Sequence, residues 1–65
     1  MKDWQKRLIV ERDELAVRVD KLSEFVMEEG GVYDTLPREE QVILCAQLGY
    51  MGAYWEILED RCAEF

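Results

Sequence analysis

No histidine occurs in this 65-residue chain, and serine and threonine occur once each, as Ser23 and Thr35. A nucleophilic triad therefore has no imidazole for its base. Ser23 at a polar helical position and Thr35 near the one proline read as structural residues. Cysteine is almost as scarce. Cys45 and Cys62 stand 17 positions apart, which along one helix is about 25 Å at about 1.5 Å per residue. A disulfide spans only about 7 Å between Cα atoms, so a bridge within the chain is excluded and two buried, reduced thiols on apolar faces are expected. The neighbouring acids Glu39/Glu40 and Glu59/Asp60 point to different faces of a helix and make neither a carboxylate dyad nor a metal box. Gly30-Gly31 is isolated, and Gly49 and Gly52 lie inside a helical segment, so no glycine loop cradles a phosphate. The chain is expected to be no enzyme, with no catalytic residue, no metal and no cofactor.

Basic residues are also short. Eight lysines and arginines face fifteen acids, for a net charge of -7, and the second half keeps only Arg38 and Arg61. No basic stripe exists to displace the counterions of duplex nucleic acid, so that partner is disfavoured. In the first half the signs are mixed, with Asp3/Arg7 and Glu14/Arg18 four apart, as a solvated helix face requires. Residues 42–58, VILCAQLGYMGAYWEIL, form one apolar stretch of seventeen. That is the lower limit for crossing a bilayer, and Gln47, Glu56 and two glycines weaken it further; no membrane span is expected. MKDWQKRLIV has no apolar core or cleavage site of a secretory signal, so a cytoplasmic location is expected.

What is present is helix. From Lys2 to about Glu28 there is no glycine or proline, and Trp4, Leu8, Leu15, Val19, Leu22, Phe25 and Val26 fall on one stripe. Paired glycines stop this helix. After GGVYDTL a second helix is expected, with Thr35 or Leu36 as N-cap and, in the latter case, Pro37 as its first residue. The reading is all-α and one domain over 1–65: helix one about 2–28, turn 29–36, helix two about 37–63, folded as an antiparallel two-helix hairpin.

Helix two carries more apolar surface than one hairpin arm can cover. Leu44, Leu48, Met51, Trp55, Leu58, Cys62 and Phe65 alternate by four and three, the spacing of a knobs-into-holes seam, and can face helix one. Ile43, Gln47, Tyr50, Tyr54, Ile57 and Arg61 repeat that spacing one residue earlier. Small residues lie between, with Cys45, Gly49 and Ala53 in one row and Ala46 and Gly52 beside them. Each glycine inside a helix costs about 1 kcal/mol relative to alanine, so the pair needs a reason: the crossing of a helix from another subunit, a kink or snug contact with helix one, or a ligand pressed against the backbone. A domain this size buries only about 60% of its unfolded surface and commonly needs a partner chain. A homo-oligomer is expected, most simply a dimer forming a four-helix bundle, or a larger helical assembly. Its interface is assigned to Ile43, Cys45, Gly49, Gly52, Ala53 and Ile57. Gln47, Tyr50, Tyr54 and Arg61 are the candidate residues for binding another partner, since tyrosine and arginine are frequent anchors of recognition.

Trp4, Arg7, Glu11, Leu15, Lys21-Leu22 and Phe25, then Leu36, Glu40-Gln41, Leu44, Gln47, Met51, Tyr54, Leu58 and Arg61, resemble a family of small tailed-phage helical-hairpin proteins related to a crAss-like phage protein. The resemblance runs from about 4 to 62. The family has no established catalytic residues to carry over; it implies a short phage product acting in a bacterial cytoplasm. The expected function is a non-enzymatic, oligomeric counter-defence or host-takeover factor that blocks a host protein by stoichiometric binding. Two alternatives stay open: a sponge that sequesters a small nucleotide signal between subunits, and an assembly helper that only self-associates.

Overall fold

Helix formers without interruption give a first helix, α1, over Asp3–Met27. In the computed structural model, which describes residues 1–65, its start is fixed by the side chain of Gln5, whose Oε1 accepts the Lys2 backbone N–H at 2.8 Å. This bond satisfies a donor just ahead of the first turn. The helix ends at Glu28, and Gly30 follows with φ +71°. That left-handed conformation is open to glycine at little cost, and it turns the chain back.

The connection is more structured than a plain turn. Val32–Thr35 forms one helical turn, α2, with Gly30 N–H bonded to the Asp34 carboxylate at 2.7 Å. Thr35 donates its hydroxyl to the Val32 carbonyl at 2.6 Å. It therefore closes α2 and does not cap the next helix. The long second helix, α3, spans Arg38–Cys62 with Pro37, not Leu36, in the N-cap position. Proline suits that place because its missing N–H forfeits no helical bond and its ring opposes helical geometry in the residue before it.

Helices α1 and α3 lie antiparallel, so the molecule is an all-helical hairpin without strands. Its core is small: Leu8 and Leu15 of α1 meet Leu58 and Cys62 of α3, and Ile9, Val19, Met51 and Trp55 pack around them. Only Leu58 is sealed from solvent, at 0% exposure. At the open end Trp4 and Phe65 meet edge to face at 5.7 Å between ring centres. At the closed end Phe25 and Tyr33 do the same at 6.3 Å. Arg12 ties the arms through Glu59 at 3.3 Å. Of the two pairs expected along α1, Glu14–Arg18 is present at 3.9 Å.

The shape is a rod, 46 × 16 × 14 Å, with a radius of gyration of 14.7 Å. A compact chain of this length would have a radius near 11 Å, by the usual scaling. Its accessible surface is 5078 Å², against roughly 4,300 Å² for a compact monomer of this mass. No helix is long and apolar enough to cross a membrane.

Candidate functional site

Because α3 offers one side to α1, its opposite side is open along most of its length. Val42, Ile43, Ala46, Gly49, Tyr50, Ala53, Tyr54 and Ile57 are all exposed there. Tyr50 is the most exposed large apolar side chain of the molecule, at 79%, and Ile43 and Ile57 are 62% and 54% exposed. Contiguous apolar surface of this kind is the usual composition of a contact face. Arg38 stands at one end of the face and Arg61 near the other. The three depressions on the surface are shallow and open. The largest, ≈ 630 Å³, is bordered by Arg38, Glu39, Val42 and Ile43. Arg61 borders a second one with Trp4, Gln5, Leu8, Glu64 and Phe65.

The residues assigned to a self-interface from sequence fall on two sides. Ile43, Gly49, Ala53 and Ile57 share the open face with Tyr50. A side chain at Gly49 would meet no atom within 4 Å, so within one hairpin nothing demands a glycine there. Gly52 instead looks toward α1, in a groove with Ala16, Val19, Asp20 and Trp55. Of the two thiols expected to be buried, Cys62 is buried and Cys45 is exposed. Cys45 lies outside the cluster between α1 and α3, on the side near the short α2, and its sulfur shares a hydrogen bond of 3.0 Å with the Tyr33 hydroxyl.

Among the residues assigned to partner binding, Tyr50 is largely exposed, and Gln47 lays its amide on the Met51 sulfur at 3.6 Å. Tyr54 is different. Its hydroxyl donates to the Glu11 carboxylate of α1, while 43% of the residue remains exposed. The ring is thus anchored at its polar tip with part of its surface free.

Three side chains titrate away from their ordinary values. The Tyr54 hydroxyl is raised, first by its hydrogen bond to Glu11, then by partial loss of water and by the carboxylate charge. Tyr33 is raised by its hydrogen bond to Cys45, then by desolvation. Arg12 is raised by its bond to Asp13 and simply stays charged. For Tyr54 the folded state holds the proton more tightly than the unfolded chain, whose tyrosine ionises near pH 10. The tether is therefore complete below about pH 10 and is lost as pH rises beyond it. In thermal melts from about pH 8 to 11, the wild type is expected to lose stability above about pH 10 more steeply than Tyr54→Phe. Parallel curves would contradict the tether.

Tyr33 and Gln41, which the sequence assigns to no site, join turn to helix. The Tyr33 hydroxyl donates to the Gln41 carbonyl at 3.3 Å, and the Gln41 amide donates to the Tyr33 carbonyl at 2.9 Å. The one signal was an aromatic residue in a short polar loop. No three His, Cys, Asp or Glu side chains converge into a group that could hold a metal ion.

Fold and face together define a small helical hairpin built around an unpartnered apolar face. The chain belongs to the Sequestin family, whose sequence model matches residues 2–64. No curated protein and no solved structure matches it.

Proposed function

We propose that this protein is a non-enzymatic sponge: copies associate through the open face of α3 and hold a small nucleotide signal between them, one for one, without altering it. Membership of the Sequestin family supports a sequestering role. The observation that carries the physical part is the bare face from Ile43 to Ile57, with Tyr50 79% exposed. A sequestering protein must enclose its cargo, and a single hairpin offers only open depressions, so enclosure requires a second chain. Tyrosine rings provide flat surfaces on which a base can stack, and Arg38 and Arg61 are the two cations of this half of the chain for an anionic group. The resemblance to tailed-phage hairpins supports a bacterial cytoplasm as the setting and counter-defence against a host signal as the purpose.

Blocking of a host protein is the second reading. It is favoured by the length of the apolar face, which suits a helix of a partner protein as well as a second copy. Native mass spectrometry of the protein purified from infected cells separates the two. The sponge predicts a multiple of the subunit mass plus a nucleotide-sized adduct that is released intact on denaturation. A host protein held at fixed stoichiometry, with no small adduct, would overturn it.

A further inference from the structure

Five exposed residues along the open face of α3 follow the same order in both directions, with spacings equal to within one position. Counting from Tyr50, isoleucine stands seven residues before and seven after, as Ile43 and Ile57. Alanine stands four before and three after, as Ala46 and Ala53. These five exposed residues alternate by three and four, the spacing of a single helix–helix seam. Eleven residues from Tyr50 the charges are opposite, Glu39 on the N-terminal side and Arg61 on the C-terminal side, and both are exposed.

A pattern symmetrical about its centre suits an isologous contact between antiparallel helices, where residue i meets j and j meets i. Turned about Tyr50, Ile43 of one copy meets Ile57 of the other, and the alanines beside Gly49 let the backbones close. Arg61 then meets Glu39, with Glu40 next to it, at both ends of the seam. A parallel pairing in register would set Glu39 against Glu39 and Arg61 against Arg61, and each such pair repels. The charges therefore choose the direction, while the apolar seam supplies the attraction.

We propose that α3 pairs antiparallel with α3 of a second copy about a two-fold axis at Tyr50, through Ile43–Ile57 contacts closed at each end by Glu39–Arg61 ion pairs. The proposal rests on the self-association inferred above and adds its direction and register. The groove bordered by Arg38, Glu39, Val42 and Ile43 then lies at each end of the seam, where Arg38 is left for an anionic cargo while Arg61 serves the pairing.

Charge reversal tests the pairing. Dimer dissociation is measured by analytical ultracentrifugation for the wild type, Glu39→Arg, Arg61→Glu and the double variant, with circular dichroism confirming helicity. Each single reversal sets like charges together twice per dimer and is expected to weaken association by roughly tenfold or more, since exposed pairs are individually modest. The double variant restores the pairs with signs exchanged and is expected within about threefold of wild type. Singles that associate like wild type, or a double weaker than either single, would overturn the register. If a reversed variant fails to fold, cysteine crosslinking in a Cys45→Ser background decides instead. Ile43→Cys mixed with Ile57→Cys is expected to give an oxidised dimer, and neither alone, because two copies of residue 43 would stand about 21 Å apart at about 1.5 Å per residue. Crosslinking of each variant with itself would indicate the parallel arrangement. A wild type that never associates defeats the sponge reading itself; one that associates without rescue by the double variant defeats only this geometry.

Discussion

Leu58→Ala is expected to destabilise the hairpin by about 2–5 kcal/mol, the usual cost of truncating a buried leucine. Leu58 is the one large side chain wholly removed from water, and the three other buried residues, Leu8, Leu15 and Cys62, surround it. A domain of this length has a total stability of about 3–10 kcal/mol, so the loss leaves a large unfolded fraction at room temperature. The cavity opens where α1 and α3 touch, and there is no further layer to collapse into it. Urea titration followed by circular dichroism checks the prediction, and a midpoint within error of wild type would mean that the core lies elsewhere. Because association stabilises the folded state by mass action, wild type and variant must be compared at one protein concentration.

Tyr50→Asp is expected to do the opposite: leave the hairpin helical and abolish association. Tyr50 is 79% exposed and lies outside the buried cluster, so its replacement removes little from the intrachain core. On the open face it lies at the centre of the apolar stripe, the part of a contact from which water must be excluded. Truncation of such central aromatic anchors costs about 2 kcal/mol or more, and a carboxylate there adds the cost of burying an unpaired charge. Association is expected to weaken by roughly a hundredfold or more, with retained cargo lost in step. Sedimentation and native mass spectrometry read the two effects. A variant that unfolds would place Tyr50 in the core, and one that still associates would place the contact on another face.

The hairpin was legible in the sequence because its signals are periodic and long. Leu8 and Leu15 seven apart, and Leu58 and Cys62 four apart, each recur on a stripe of several turns, and no glycine or proline interrupts α1 before its end. The excess apolar side of α3 was legible for the same reason. Single helical turns and contacts between arms were not. Val32–Thr35 is too short to show a period, so Thr35 looked like a cap for α3 although its hydroxyl serves α2. Cys45 and Gly52 were grouped with Gly49 by their spacing along the helix, but each is rotated toward the side on which α1 or the turn passes. The Tyr54–Glu11 bond joins residues 43 apart along the chain and the Tyr33–Gln41 bonds cross from the turn to α3, and no periodic pattern announces either. What the open face binds is less legible still, because a stripe of isoleucine, alanine and tyrosine records that water is to be excluded without recording by what.

The account depends on one property, that a lone hairpin leaves too much apolar surface on α3 to stay unassociated at micromolar concentration. Sedimentation equilibrium of the wild-type protein over a wide dilution series measures this most directly. The expected result is a mass of two or more subunits at micromolar concentration that falls toward one subunit on dilution. A folded single subunit at every concentration, with no binding of a hydrophobic dye, would contradict it.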